Sequence, residues 1–167
     1  MNDFLTIIGA GLAGSEAAWQ AAERGVPVVL YEMRSVSRTA AHKTDNCAEL
    51  VCSNSLGNNL PHSAPFILKE ELRSFNSIVI SSGDRNCVPA GSALAVDRVL
   101  FSKEITKRIS NHPLITLKRQ EIVEIPNSGP VIIATGPLTS PKLSKEISQL
   151  IGQEYLYFYD ALSPIVD

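Results

Sequence analysis

A strand, a glycine-rich turn, a helix and a second strand at the start of the chain constrain its fold more than any other feature. Apolar residues 4–8 precede Gly9-Ala10-Gly11-Leu12-Ala13-Gly14, and an alanine-rich stretch then leads to a second apolar strand that ends at Glu32. Glycines at this spacing, between a predicted strand and a predicted helix, are the fingerprint of a dinucleotide-binding βαβ unit. The sequence therefore predicts an α/β fold, with a Rossmann-like domain whose central sheet is mostly parallel and flanked by helices.

Each glycine of this turn has a separate physical role. Gly9 permits the tight turn, Gly11 lets the backbone approach a pyrophosphate, and Gly14 lets helix and strand pack closely. The N-terminus of the following helix offers free N–H groups and the positive end of a dipole to the phosphates. Residues 9–14 are therefore the predicted pyrophosphate loop, and the alternative is a set of glycines that merely closes a βα turn.

Glu32 is the predicted ribose-binding acid, because it lies near the ~20-residue spacing at which an acid holds a ribose hydroxyl. Its carboxylate repels a 2′-phosphate, so NADP is disfavoured at this site. Glu32 alone does not separate FAD from NAD. The apolar strand that ends in Ala134-Thr135-Gly136 does favour FAD, since this pair of motifs is typical of FAD-binding Rossmann-like domains. A buried strand followed by a small-residue turn is the alternative.

The composition is that of an ordinary globular protein. The chain has 167 residues, a net charge of −2 and 44% hydrophobic residues, which is enough for about one domain. No apolar run approaches the ~20 residues that a membrane span needs, and the chain enters a strand at once, unlike a signal peptide. We therefore expect a cytoplasmic protein without a membrane partner.

The cysteine content and the charge exclude two further classes. Cys47, Cys52 and Cys87 are an odd number without Cys-x-x-Cys spacing, which fits neither a disulfide scaffold nor a zinc site, so we expect no metal. The mildly acidic balance gives no general attraction to nucleic acid. Any nucleic-acid contact would therefore have to be local.

A long polar segment, residues 33–63, follows the βαβ unit. Loops beyond ~12–15 residues are usually functional or disordered, and the apolar stretch 48–52 favours an ordered active-site loop. Cys52 is the candidate nucleophile in it, because a thiolate adds readily to an electron-poor ring carbon. A small buried filler is the alternative for this cysteine. His42 and Lys43 are candidates for contacting a phosphate or a carboxylate, with a solvated loop face as the alternative.

The rest of the chain predicts further helices and strands. Helices are expected over residues 66–74, 96–110 and 140–151, and strands over residues 78–80, 114–117, 121–125, 131–136 and 154–158. In the first of these helices Lys69 is expected on the polar face, and Asp97 is expected near the positive end of the second. Tyr155, Tyr157 and Tyr159 alternate along the last strand, where they would form one aromatic face.

Several longer strings make the sequence resemble one enzyme family. They include Ala48-Glu-Leu-Val-Cys-Ser-Asn-Ser-Leu56, Ala134-Thr-Gly-Pro-Leu-Thr-Ser140 and Tyr155-Leu-Tyr-Phe-Tyr-Asp160, which are far more specific than the glycine motif. On these strings the chain closely resembles, over essentially its whole length, the bacterial folate- and FAD-dependent tRNA (uracil-5-)-methyltransferases, which are related to the GidA flavoproteins. One departure is Gly57, because family members usually carry a basic residue after the first string.

The resemblance implies a two-stage reaction with FAD, NAD(P)H and methylenetetrahydrofolate. Reduced FAD accepts a methylene group from the folate, and that carbon then passes to C5 of the T-loop uridine in the T-arm of tRNA. Cysteine addition at C6 activates C5, and Cys52 lies at a cysteine implicated in this family. Family members also use a second cysteine, farther along than this chain extends. The resemblance also implies Gly9–Gly14 as the FAD pyrophosphate loop and Glu32 as the ribose acid.

Members of that family are considerably longer than this chain. They contain an inserted second domain and a C-terminal segment that completes the flavin site, so we interpret residues 1–167 as the N-terminal part of the FAD-binding domain, without either. From this we expect weak or no FAD binding and no turnover by the isolated chain. A generic FAD/NAD(P)H oxidoreductase and a non-catalytic FAD- and tRNA-binding remnant are the two alternative interpretations.

Overall fold

Two sheets and five α-helices make up the part of the chain that the computed structural model describes, which is residues 4–37, 39 and 41–152. In chain order the elements are β1 (Leu5–Ile8), α1 (Leu12–Glu23), β2 (Val28–Glu32), β3 (Ser55–Asn58), α2 (Ala64–Ser74), α3 (Ile78–Arg85), β4 (Cys87–Val88), β5 (Ala93–Val96), α4 (Arg98–Asn111), β6 (Ile115–Arg119), β7 (Val131–Ile133) and α5 (Pro141–Ile151). A short 3₁₀ helix, Gly136–Leu138, connects β7 to α5.

The larger sheet is parallel throughout, in the strand order β6-β2-β1-β7. With β6 as the third parallel strand and β7 as the fourth, this is the 3-2-1-4 order of a doubly wound nucleotide-binding fold. In such sheets the ligand crevice opens at the carboxyl ends of the strands, where the strand order reverses, which here is between β1 and β7. The predicted parallel α/β architecture is confirmed.

The core lies between this sheet and the helices packed on it. Ala18 and Ala22 of α1 are buried, and their small side chains let the helix lie close to the strands. Phe101, Ile105 and Ile109 form one buried stripe along α4, four residues apart as a helix requires. Each such fully buried side chain contributes on the order of 1.5–3 kcal/mol.

The predicted strand over residues 78–80 is wrong, because these residues begin α3. Ser77 caps that helix, its Oγ accepting a hydrogen bond from the N–H of Ile80 at 3.1 Å. Ile78 and Ile80 are buried as expected, but three apolar residues are too few to separate a strand period from a helix period. The described residues 121–125 also form no strand.

The helix predicted over residues 96–110 begins later, at Arg98. Asp97 is its N-cap, and its Oδ1 accepts hydrogen bonds from the N–H groups of Val99 and Leu100, both at 2.9 Å. Val96 instead ends β5, a strand that the sequence pattern did not predict. This strand is the centre of the small antiparallel sheet β3-β5-β4.

The prediction that Lys69 lies on the polar face of α2 is wrong. The residue is buried, and its Nζ donates to the carbonyl oxygens of Leu56, Asn58 and Pro65 at 3.3, 2.8 and 2.9 Å. The ammonium thus ties the helix to β3. The neighbouring Leu68 is exposed.

The other predicted helices and strands have mixed outcomes. Helices over residues 66–74 and 140–151 and a strand over residues 114–117 are confirmed as α2, α5 and β6. The strand before Ala134 is confirmed as β7, but it is only partly buried and lies at the edge of the described sheet. The strand predicted over residues 154–158, with its three tyrosines, lies outside the described residues.

Candidate functional site

A cleft opens at the carboxyl ends of the parallel strands, where a doubly wound sheet binds its ligand. It is lined by Ile8, Gly9, Gly11, Tyr31, Glu32, Met33, Arg34, His42, Gln120, Glu121, Ile122, Ala134, Thr135, Leu138, Thr139, Ser140 and Leu143. The two predicted motifs, the glycine turn and the Ala-Thr-Gly turn, therefore meet at one site. Glu32 lies in the same cleft, and its role as the ribose-binding acid stays a prediction.

The three glycines of the turn differ in whether the surrounding atoms leave room for a side chain. Gly9 has φ +97°, and an added Cβ would lie 2.9 Å from the carbonyl oxygen of Ala134. A Cβ on Gly14 would overlap the carbonyl oxygen of Gly9, so helix and turn pack backbone to backbone there. A Cβ on Gly11 would meet no described atom within 4 Å. Closing the turn therefore accounts for Gly9 and Gly14 but not for Gly11, which leaves open space at the cleft.

The N-terminus of α1 adjoins this open space. Gly11 is its N-cap, no described side chain caps it, and its first turn carries no acidic residue. Uncapped N–H groups and the positive end of the helix dipole favour an anion at that position. Open space beside an uncapped helix N-terminus is the arrangement that a phosphate group requires.

Glu32 is buried in the floor of the cleft and accepts four hydrogen bonds. Its Oε1 accepts from the backbone N–H of Arg34 at 3.0 Å and from Arg34 Nε at 2.8 Å. Its Oε2 accepts from the backbone N–H of Ala10 at 2.9 Å and from Arg34 Nη2 at 3.0 Å. The acid that ends β2 is thus connected directly to the glycine turn that follows β1.

The environment of Glu32 keeps it ionised. Burial pushes the pKa of its carboxyl upward, but the hydrogen bonds and the charge of Arg34 outweigh burial, so the pKa lies below its usual range. Burial likewise opposes the charge of Arg34, and the contacts with Glu32 and Glu49 reverse this and raise the pKa of the guanidinium. The cleft therefore contains an ionised carboxylate, which repels a second anion.

Arg34 also reaches the loop that carries Cys52. Its Nη1 lies 3.1 Å from Glu49 Oε2, and Glu49 in turn accepts hydrogen bonds from the N–H groups of Lys43 and Thr44. Burial by itself would raise the pKa of the Glu49 carboxyl. The hydrogen bonds from these N–H groups and from the Thr44 hydroxyl outweigh burial, so the pKa is lowered. The N–H of Ala48 donates to the carbonyl oxygen of Ala10 at 2.8 Å. This part of the predicted long loop is therefore ordered and anchored on the glycine turn.

The two cysteines of this loop have opposite environments. Cys47 is fully buried, its N–H donates to Thr106 Oγ1 at 2.8 Å, and burial raises the pKa of its thiol. Cys52 is exposed. The buried-filler interpretation therefore applies to Cys47 and not to Cys52. Cys52 does not line the cleft in the part of the chain that the structure describes.

His42 and Lys43 separate in the structure. His42 lines the cleft, where burial and then the charge of Arg34 lower the pKa of its imidazole, and its Nδ1 lies 2.7 Å from Thr39 Oγ1. Lys43 is exposed, which matches the solvated loop face weighed as the alternative. Of the two, only the histidine is placed to contact a ligand in the cleft.

Gly57, which departs from the usual basic residue, has a backbone that disfavours any side chain. Its φ is +87°, and the site of an added Cβ lies 3.9 Å from Lys69 Nζ. A basic residue here would be strained and would face another cation. The departure therefore goes together with a local conformation that suits glycine.

Neither Arg34 nor Glu49 was predicted from the sequence as a member of this site. Both are ordinary charged residues by their type, and only the fold brings them within hydrogen-bond distance of each other. The available signal was the match of opposite charges between the end of β2 and the loop. Sequence spacing does not predict such a contact.

Neither a metal site nor a membrane span emerges from the described part of the chain. Across residues 4–37, 39 and 41–152, His, Cys, Asp and Glu side chains form no group that could hold a metal ion. None of the helices built from these residues has the length and apolarity to cross a membrane.

Comparison with known proteins places nearly the whole chain in one family. Residues 5–167 match the family described as glucose inhibited division protein A. The chain belongs to this family. As a member of the glucose inhibited division protein A family it also has close relatives among curated proteins, and the resemblance predicted from the sequence is confirmed.

Two of these relatives are named methylenetetrahydrofolate–tRNA-(uracil-5-)-methyltransferase TrmFO. The protein from Enterococcus faecalis is 62% identical over 167 residues, which are 100% of this chain and 38% of the relative. The protein from Bacillus pumilus is 58% identical over the same shares of both chains. This member of the glucose inhibited division protein A family therefore spans 38% of the length of these relatives.

Solved structures agree on the fold. Aquifex aeolicus GidA in its form I crystal has a TM-score of 0.63 at 17% identity, covering 80% of this chain and 25% of that one. The form II crystal gives a TM-score of 0.60 at 18% identity, covering 75% and 20%. At these identities the likeness establishes the Rossmann-like α/β fold of this family member.

Proposed function

We propose that this chain supplies the FAD-binding part of a methylenetetrahydrofolate-dependent tRNA (uracil-5-)-methyltransferase. The observation that carries the proposal is the cleft in which Gly11 leaves open space beside an uncapped helix N-terminus, with the ionised Glu32 in the same cleft. Relatives that are 58–62% identical over the whole chain and bear that enzyme's name support it. The T-loop uridine is the proposed target, in the T-arm of a cytoplasmic tRNA.

The residues of the cleft fit a dinucleotide. The backbone of Gly9–Gly14, including Ala10, Leu12 and Ala13, would hold the pyrophosphate, because the space at Gly11 and the free N–H groups of α1 suit an anion. Glu32 would accept a hydrogen bond from a ribose hydroxyl, and its charge would exclude a 2′-phosphate. When bound, FAD supplies the redox chemistry and carries the carbon of the folate, with NAD(P)H as the reductant.

Cys52 is the proposed nucleophile among the residues of this chain. Its thiolate would form a bond to C6 of the uracil ring, and the electrons of the C5–C6 double bond would move toward C5 and the C4 carbonyl. C5 then becomes nucleophilic toward a one-carbon electrophile. Exposure of Cys52 suits a substrate as large as tRNA, since a macromolecule cannot enter a closed cavity.

A generic FAD/NAD(P)H oxidoreductase is the second candidate. The cleft alone would serve it equally well, because nucleotide binding and hydride transfer need no thiol. The ordered segment, which is anchored on the glycine turn through Ala48 and also carries the exposed Cys52, favours the methyltransferase. A non-catalytic FAD- and tRNA-binding module would need the cleft but not Cys52.

A chimeric enzyme separates these candidates. This chain replaces the matching 38% of the Enterococcus faecalis relative, and formation of 5-methyluridine in tRNA is measured with FAD, NAD(P)H and methylenetetrahydrofolate. We expect the chimera to methylate tRNA and its Cys52→Ser variant to lose activity, while Cys87→Ser, the matched exposed cysteine, retains it. A chimera that oxidises NAD(P)H without methylating tRNA would support the oxidoreductase. Salt-sensitive tRNA binding with neither reaction would support the binding module.

A further inference from the structure

We propose that Arg34 is a positioning residue that couples occupancy of the nucleotide cleft to the segment that carries Cys52. Its guanidinium joins Glu32, which lies in the cleft, to Glu49, which precedes Cys52 by three residues. The proposal rests on the proposed function for the identity of the nucleotide, FAD. The link between the two carboxylates is independent of that identity.

Arg34 is held from several sides. Its side chain is 3% exposed, with Nε and Nη2 on Glu32 and Nη1 on Glu49. Its own carbonyl oxygen accepts a hydrogen bond from Arg119 Nη1 at 3.3 Å. A guanidinium is a planar fork with fixed donor directions, so it cannot strengthen its bond to one carboxylate without adjusting its bond to the other.

Glu32 has no acceptor position to spare. Its four hydrogen bonds fill the roughly four lone-pair positions of a carboxylate. A ribose hydroxyl that donates to Glu32 must therefore take the place of one present donor. Three of the four donors belong to Arg34, and the fourth is the backbone N–H of Ala10. Nucleotide binding at Glu32 therefore acts first on Arg34.

Glu49 transmits the change to the loop. Besides Arg34 it binds the N–H groups of Lys43 and Thr44 and the Thr44 hydroxyl, at 2.9, 3.1 and 2.9 Å, so residues 43–49 form one hydrogen-bonded unit. The Ala48 N–H on the Ala10 carbonyl oxygen is a second link between this unit and the cleft. A shift of Arg34 toward Glu49 would thus restrain the loop just before Cys52.

The coupling is reciprocal, as any coupling free energy between two sites must be. If bound FAD restrains the Cys52 segment, then loosening that segment weakens the binding of FAD by the same factor. Couplings of this kind are typically about fivefold or more. Arg34→Lys keeps the charge but loses the fork, so it should break the coupling rather than the cleft.

The test measures the alkylation rate of Cys52 by iodoacetamide relative to that of Cys87, with each cysteine resolved by peptide mass spectrometry. Both thiols are exposed, and the buried Cys47 reports unfolding in the same sample. We expect Glu32→Gln in the 167-residue chain to change the ratio about fivefold, although Glu32 lies outside the loop. In a chain that already carries Arg34→Lys, adding Glu32→Gln should no longer change the ratio. Glu104→Gln, which removes a surface ion pair with Arg85, should by itself leave the ratio unchanged.

An unchanged ratio in folded Glu32→Gln overturns the proposal. If that variant exposes Cys47, Glu32→Asp replaces it, because it keeps the charge and shortens only the reach. An unchanged ratio in Glu32→Asp counts equally against the coupling. In a second experiment FAD is titrated into the chimera with the Enterococcus faecalis relative and followed by flavin fluorescence, and Glu49→Gln should weaken FAD binding about fivefold. Failure of the unmutated chimera to bind FAD would contradict the proposed function, while the variant ratios would still decide the coupling.

Discussion

Glu32 and Arg34 form a buried ion pair at the end of β2, with Arg34 Nε 2.8 Å from Glu32 Oε1 and both side chains 6% exposed or less. The pair joins three parts of the chain, because Glu32 binds the glycine turn and Arg34 binds Glu49 of the loop. Removing one member of such a pair is costly because it leaves the other charge buried.

Arg34→Met should therefore destabilise the chain strongly. It leaves the buried carboxylate of Glu32 and the half-buried carboxylate of Glu49 without their shared cation, and we expect a loss of about 3–5 kcal/mol in the free energy of unfolding. Urea unfolding near neutral pH measures it. Arg73→Met is the matched control, because Arg73 pairs with Asp84 at a more exposed position and should cost at most about 1 kcal/mol. Equal losses in the two variants would contradict the structural role of Arg34.

The two glycines that flank Leu12 and Ala13 should respond differently to alanine. In Gly14→Ala the new Cβ meets the Gly9 carbonyl oxygen, so helix and turn must separate, and we expect a loss of about 1–3 kcal/mol in unfolding free energy. In Gly11→Ala the new methyl enters open space, so stability should be unchanged. In the chimera this variant should instead weaken FAD binding about tenfold, or about 1.4 kcal/mol. Flavin fluorescence measures the affinity, and unchanged binding in Gly11→Ala would argue against a phosphate at Gly11.

Stability should fall in acid because two carboxyls are stabilised in their ionised form. The pKa values of Glu32 and Glu49 lie below the ordinary 4.5 in the folded chain, so their contribution is complete above that pH. It is lost as the pH falls through the lower folded values. Thermal melting between about pH 7 and pH 3 should show this loss. Glu49→Gln should be less stable at neutral pH and should lose less on acidification, and an identical pH dependence would contradict the assignment.

Lys69→Met should destabilise the contact between α2 and β3. Methionine can fill the space of the lysine stem, but it leaves the carbonyl oxygens of Leu56, Asn58 and Pro65 without their common donor. We expect a loss of about 1–3 kcal/mol in the free energy of unfolding. Lys103→Met, on the exposed face of α4, is the control and should lie within about 0.5 kcal/mol of wild type. A similar result for both lysines would show that the buried ammonium contributes little.

Local sequence signals predicted the opening βαβ unit of this fold well. The glycine turn, the alanine-rich helix and the strand ending in Glu32 are short-range features, since each depends on residues close together in the chain. Hydrophobic periodicity was less reliable where a segment was short. Residues 78–80 are helical, and Ser77 caps their helix. Val96 belongs to a strand because β5 pairs with both β3 and β4.

By itself, the sequence determined the parallel α/β class and the family to which the chain belongs. It also determined that the glycine turn and Glu32 end neighbouring parallel strands and so lie at one cleft. Only the tertiary structure decided which cysteine is exposed, where Lys69 places its charge, and that Arg34 joins Glu32 to Glu49. The physical reason is range. Backbone motifs act between neighbouring residues, whereas burial and ion pairing depend on which distant segments the completed fold brings together.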